Sequence, residues 1–125
     1  MDQKINPTPE PSSTTDRGRA VENKVEEWLT QKGWFFIARN FRWKGGEIDL
    51  ILLTPEAVLV FVEVRSSSSI SPWLAYSVGL SKRRKIKNTI QNFLLSHPKF
   101  KGFSYRFDMI WVVQDKIEHW KNVWD

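Results

Sequence analysis

The sequence contains no cysteine, which excludes disulfides and thiolate metal centres and fits a reducing compartment. No window approaches the roughly 18 consecutive apolar residues that a membrane-spanning helix requires, so no membrane partner is expected. The opening stretch MDQKINPTPEPSSTTDRG has no apolar core of the kind a signal peptide carries. These absences point to the cytoplasm. Only two histidines occur, His97 and His119, isolated and without ligand spacing, so neither supports a zinc site. No internal repeat is found.

What is present describes one soluble globular domain. At 125 residues, with 41% hydrophobic and 26% charged side chains, the chain is long enough for a single core and too short for a second. Seven Trp and eight Phe predict a core dense in aromatics. Residues 1–16 are polar, with three prolines, and bury too little apolar surface to offset ordering entropy. They are expected to be disordered, leaving 17–125 as the folded domain. A formal charge of +5 and a pI near 9.6 favour a polyanionic partner, nucleic acid first.

Along the chain, Asp16 can cap a helix carrying Ala20, Val21, Val25, Trp28 and Leu29 at helical spacing, with Gly33 as its stop. WFFIARNF (Trp34 to Phe41) reads as a strand, RWKGG as a turn, and Glu47 to Leu53 as a second strand. Across a tight TPE turn, Ala57 to Arg65 forms a hairpin with that second strand. A Ser- and Pro-containing loop, SSSSISPW, leads to a helix from Ser81 with an apolar stripe of Ile86, Ile90, Phe93 and Leu94, closed by Pro98. Tyr105 to Val113 is a fourth strand, and KIEHWKNVW adds a short strand or a turn of helix. The order is αβββαβ with a short tail, a mixed α/β sandwich around one sheet.

The hairpin poses the chemical question. GGEIDLILLTPEAVLVFVEVRSSSS places Asp49, Glu63 and Arg65 inside the two most hydrophobic runs of the chain. Strand alternation puts Glu63 and Arg65 on one face. A three-residue loop, Pro55 to Ala57, would set Asp49 opposite Glu63, whereas a two- or four-residue loop would pair Asp49 with Val62 unless a bulge intervenes. If the acids meet, their repulsion at about 4 Å is on the order of 4 kcal/mol at an effective dielectric of 20. A half-buried site then protonates one acid or holds a cation between them. Mg²⁺ suits such a place, because it takes one or two carboxylates, keeps waters and accepts phosphate oxygens. The alternative is a structural cluster in which Arg65 neutralises both acids without a metal.

Other charged residues fall into two groups. KRRKIK supplies Lys82, Arg83, Arg84, Lys85 and Lys87 at a helix start. Cations there oppose the helix dipole, so helix stability does not account for them, and contact with phosphates does. Glu22 sits where the dipole favours an acid, and Glu47 shares the face of Asp49. Arg106 and Asp108 alternate onto one strand face as an expected structural ion pair. Most of the tryptophans read as packing, while Trp43 and Trp73, in loops bordering the acids, could stack on an unpaired base.

GRAVENKVEEWL, RNFRWKGGEIDLI, VFVEVR, SKRRKI and RFDMIWV occur in that order. Together they resemble the YraN-like family, small bacterial proteins classed as predicted endonucleases of the PD-(D/E)XK superfamily, from Arg17 to the C-terminus. The resemblance implies a restriction-endonuclease-like mixed sheet flanked by helices. It implies that Asp49 and Glu63, completed by Glu22, hold Mg²⁺ or Mn²⁺, and that Lys82 neighbours the active site. It also implies DNA as the partner, branched or junction DNA included, and leaves a homodimer open. Where the superfamily has a Lys, this chain has Arg65, as many YraN-like proteins do. Arg stays protonated and cannot serve as a base, but it can grip a phosphate or stabilise the transition state. A non-catalytic nucleic-acid-binding module on the same fold is the competing expectation.

Overall fold

The computed structural model describes residues 16–67 and 80–124. Helix α1 (Asp16–Thr30) precedes strands β1 (Phe35–Trp43), β2 (Gly46–Leu53) and β3 (Val58–Ser67). Helix α2 (Leu80–Ser96), a 3₁₀ turn (Pro98–Phe100), β4 (Ser104–Val113) and β5 (Lys116–Trp120) follow. The five strands form one sheet in the order β1-β2-β3-β4-β5. Every neighbouring pair is antiparallel except β3 and β4, which run parallel across the connection containing α2. The αβββαβ order is therefore present, and the tail adds an edge strand. Among the described residues, no helix is long and apolar enough to cross a membrane.

Alternation along the strands splits the interior in two. Leu50 and Leu52 of β2, Val60 and Val62 of β3, and Ile110 and Val112 of β4 bury against Val25 and Leu29 of α1. Ile51, Phe61, Met109 and Trp111 bury on the opposite face against Ile86, Ile90 and Phe93 of α2. Each large apolar side chain withdrawn in this way stabilises the fold by roughly 1.5–3 kcal/mol. Phe93 is the centre of the second layer, with Phe41 edge-on at 5.2 Å, Phe61 edge-on at 5.6 Å and His97 stacked at 4.0 Å. His97 also hydrogen-bonds the carbonyl of Phe93 at 2.9 Å, so this histidine finishes a helix end.

The element ends follow local chemistry. Gly33 adopts φ +91°, with Gly33 N donating to Thr30 O at 3.0 Å and Trp34 N to Leu29 O at 3.2 Å. That paired arrangement ends α1 in a left-handed residue that glycine tolerates. The strands run longer than the sequence predicts. β1 extends through Trp43 and β3 through Ser67. Trp43, expected in a loop, is thus a strand residue whose carbonyl accepts from Thr89 Oγ1 at 3.4 Å. Trp73 and residues 1–15, including most of the segment expected to be disordered, lie outside the described residues.

Candidate functional site

The β2–β3 turn decides where the acids go. Thr54 N donates to Val58 O at 2.9 Å and Ala57 N to Thr54 O at 2.9 Å, which closes a three-residue loop with Ala57 at φ +65°. This is the turn followed by a left-handed residue that short hairpins use. The ladder then pairs Leu53 with Leu59 and Leu50 with Val62. The ladder ends there, and the next residue on each strand, Asp49 and Glu63, lines one cleft together with Lys82, Lys85 and Ile86 of α2. On the other side, β1 pairs Arg39 with Leu50 and Phe41 with Ile48, so Asn40 stands next to Asp49.

The strands part at this point. Instead of a backbone carbonyl, the amide of Val64 finds Asp49 Oδ2 at 2.8 Å. Glu63 has a different environment: Arg65 Nη2 lies 2.5 Å and Lys82 Nζ 3.2 Å from its Oε2. Among the described residues no cation reaches Asp49. Burial, with Glu63, Glu22 and Glu47 nearby, pushes its carboxyl up to about 7 even though the Val64 amide opposes the rise. The ion-pair cluster expected around Arg65 takes in Glu63 and, among the described residues, leaves out Asp49. Arg65 neutralises Glu63, and Asp49 is left as the uncompensated acid.

Two more carboxylates border the pair. Asn40, at φ +52°, donates to Glu22 Oε1 at 3.4 Å and to Glu47 Oε2 at 3.3 Å, joining α1 to β2. Arg42 also reaches Glu47 at 3.3 Å. Burial raises the carboxyl of Glu22 above its usual range, against the Asn40 hydrogen bond and the charge of Arg39. Asn40 is a site residue that the sequence reading missed. Its one local signal is that Asn tolerates left-handed backbone inside a strand.

A cleft of about 270 Å³ opens beside the acids, lined by Gly45, Gly46, Glu47, Asp49, Glu63, Lys82, Lys85 and Ile86. Gly46 lets α2 approach this closely. A Cβ there would overlap Thr89 Oγ1 and lie 2.6 Å from the carbonyl oxygen of Lys85. Of the five cations in KRRKIK, only Lys82 and Lys85 line this cleft. Arg83 and Lys87 lie elsewhere, and Arg84 is exposed.

The second charged group resolves as structural. Asp108 is fully buried and accepts from Arg106 Nε at 3.0 Å, His119 Nε2 at 2.7 Å and the Asn122 amide at 2.9 Å. Burial would raise its carboxyl, but the bonds from His119, Arg106 and Asn122 outweigh burial and hold it below the ordinary range. His119 is edge-on to Trp28 and Trp34, at 6.0 and 5.6 Å. The ion pair anticipated between Arg106 and Asp108 is present within β4, and the bonds from His119 and Asn122 to Asp108 fasten the tail to that strand.

Residues 21–112 match the uncharacterised protein family UPF0102. The chain belongs to the UPF0102 family. This is the YraN-like family that the ordered motifs resemble. A UPF0102 protein of Alcanivorax borkumensis is 41% identical over 105 residues, covering 82% of each chain. Another, from Persephonella marina, is 39% identical over 110 residues, 87% of this chain and 93% of the relative. A third, from Saccharophagus degradans, is 39% identical over 108 residues, 86% of this chain and 91% of the relative. The matched span takes in Glu22, Asn40, Asp49, Glu63, Arg65 and the basic start of α2.

The donor chemistry of the cleft suits a hard dication, with carboxylate oxygens and no thiolate or imidazole at the walls. Among the described residues no three acidic or histidine side chains converge into a ready-made metal shell. Mg²⁺ does not need one, since it is ordinarily bound by one or two carboxylates together with waters and substrate phosphates. Asp49 and Glu63 would supply the direct oxygens, and Glu22 and Glu47 the surrounding negative charge.

Proposed function

We propose that this UPF0102 protein is a Mg²⁺- or Mn²⁺-dependent endonuclease of the PD-(D/E)XK kind, hydrolysing phosphodiester bonds in DNA, branched or junction DNA among its substrates. The supporting observation is Asp49: an acid without a cationic partner among the described residues, lining with Glu63 a cleft whose helix wall carries Lys82 and Lys85. A structural ion-pair cluster would have neutralised Asp49. A dication would bring its carboxyl back down and restore the charge balance.

The chain's own groups divide the work. Asp49 and Glu63, aided by Glu22, would hold the ion, which would supply an activated water and offset charge on the phosphodiester. Val64 fixes the Asp49 carboxylate through its amide, so one oxygen keeps its direction. Arg65 and Lys82, paired with Glu63 in the free protein, turn to the phosphate oxygens and stabilise the charge that grows there. Water would add to phosphorus and give up one proton to bulk water, a P–O ester bond would break, and the departing oxygen would take a proton from bulk water. Arg65 remains protonated throughout and donates hydrogen bonds only. Lys85 positions the backbone at the cleft wall.

One observation favours a second reading, a nucleic-acid-binding module without catalysis. Glu63 is already satisfied by Arg65 and Lys82, as in a structural network. Cleavage of labelled linear, flapped and four-way-junction DNA, with Mg²⁺, Mn²⁺ or EDTA, separates the two. Metal-dependent cleavage that disappears in Asp49→Asn and Glu63→Gln supports the nuclease. Equal lanes for wild type and both variants, with binding retained, leave the binding module.

A further inference from the structure

A second cleft, of about 360 Å³, lies on the other flank of α2, where Lys87 and Gln91 face Tyr105, Phe107 and Trp124. None of the carboxylates around Asp49 lines it. Its walls are aromatic and cationic, and Trp124, Arg83 and Tyr105 are held in place. Trp124 stacks on Phe107 with ring centres 4.3 Å apart. Arg83 lies over the same indole, its guanidinium carbon 5.2 Å from the ring centre. Tyr105 is 45% exposed, and its hydroxyl accepts from Gln91 at 3.0 Å. Phe61 packs edge-on against the Tyr105 ring at 6.0 Å, leaving a supported aromatic surface open to solvent.

A guanidinium laid on an indole keeps its N–H edges for a partner in its own plane, and that geometry suits a phosphate. Lys87 stands one helical turn from Arg83, so both cations can reach the same phosphate or two successive ones. An exposed, braced tyrosine is the usual support for an unpaired base. Lys82 and Lys85 project into the acidic cleft instead, about 100° or more around the helix from Arg83 and Lys87. Four of the five cations in KRRKIK thus fall on two sides of one helix, Lys82 and Lys85 at the acidic cleft and Arg83 and Lys87 toward Trp124 and the second cleft, while Arg84 is exposed.

We propose that the groove between α2 and the C-terminal tail binds one nucleotide of an unpaired nucleic-acid strand, with its phosphate on Arg83 and Lys87 and its base on Tyr105. This rests on the nucleic-acid part of the function proposed above and adds the substrate class: DNA with a single-stranded segment next to the bond in the acidic cleft. A strand lying over the first turns of α2 touches both clefts, and a continuous duplex cannot present a free base to the second.

The test is fluorescence anisotropy in EDTA, where neither metal nor cleavage intervenes. The probes are a short labelled oligothymidylate, a blunt duplex and, as competitor, thymidine monophosphate. The oligomer binds best; Arg83→Gln, Lys87→Gln and Tyr105→Ala each weaken it about tenfold, and Tyr105→Phe restores it. Lys87 is exposed, and near-ultraviolet circular dichroism checks the fold of each variant. Variants that bind the oligomer like wild type, or a wild type that takes only the duplex, overturn the groove while nucleic-acid binding stands. Thymidine monophosphate binding as tightly as the oligomer overturns the strand assignment in favour of a free nucleotide. Failure to bind any of these DNAs overturns the groove and the nucleic-acid reading together.

Discussion

Val64 gives its backbone amide to the side chain of Asp49 at 2.8 Å, at the point where the β2–β3 ladder would otherwise continue. The sheet thereby exchanges one ladder bond for a fixed carboxylate orientation. Val64 belongs to the α1 face of β3, and its neighbour Glu63 to the α2 face, so the amide and the second acid are set by the same strand.

The ionisation of Asp49 gives a pH dependence of stability. Its carboxyl titrates near 7 when folded and near 3.8 when unfolded, so the native state binds the extra proton between those limits. Stability is greatest below that window and falls as pH rises through 7. Asp49→Asn abolishes this fall and is more stable than wild type at pH 8 by on the order of 2 kcal/mol, discounted for partial exposure. Thermal melts of both proteins from pH 4 to 8.5 check it. Parallel curves would remove Asp49 as the uncompensated acid. Millimolar Mg²⁺ at pH 8 is expected to stabilise wild type and leave the variant unchanged.

At the acid end the sign reverses. Asp108 has a depressed carboxyl, so its stabilisation is complete above the ordinary Asp range and is lost as pH falls through its folded value. Asp108→Ala leaves Arg106 without its carboxylate and costs about 3–5 kcal/mol. Urea unfolding at pH 7 measures the loss, and a change below 1 kcal/mol would contradict the buried network.

Glu63→Gln separates charge from chemistry. Removing the carboxylate frees Arg65 and Lys82, so affinity for DNA at low salt rises about fivefold and its salt dependence steepens. Cleavage is abolished in the same protein. Loss of binding along with cleavage would mean that Glu63 organises the surface for nucleic acid instead of opposing it.

Two backbone positions have opposite predicted responses. Gly46→Ala forces β2 away from α2 and destabilises by about 2 kcal/mol, with loss of the acidic cleft. Ala57→Gly relieves the left-handed residue of the hairpin loop and stabilises by roughly 0.5 kcal/mol after the glycine's extra unfolded entropy. Chemical denaturation of the two single variants measures both, and a stabilised Gly46→Ala or a destabilised Ala57→Gly would refute the local account.

Much of this was legible in the chain itself. The element order, the stop at Gly33, the stripe of Ile86, Ile90 and Phe93, and the Arg106–Asp108 pair all follow from short-range pattern. The register between Asp49 and Glu63 did not. It depends on Ala57 adopting a conformation that a glycine would have advertised. Asn40 was invisible because its partners, Glu22 and Glu47, meet it only through the packing of α1 on the sheet. The second cleft was equally hidden, since the indole beneath Arg83 belongs to Trp124 in the tail. Trp43, read as a loop residue, became a strand residue because β1 continues two residues past Phe41 to pair Trp43 with Gly46.

The one parallel pairing in the sheet has a consequence for how the molecule assembles. Strands β1, β2 and β3 are joined by short turns and can associate early, while β4 pairs with β3 only after the longer connection through α2 closes. Asp49, Glu63 and Glu47 all belong to the early unit, whereas Lys82 and Lys85 arrive with the crossover helix. Glu63 and Glu47 have Arg65 and Arg42 as partners within that three-stranded unit, so the crossover helix adds the lysine wall of the cleft to acids that are already partly neutralised.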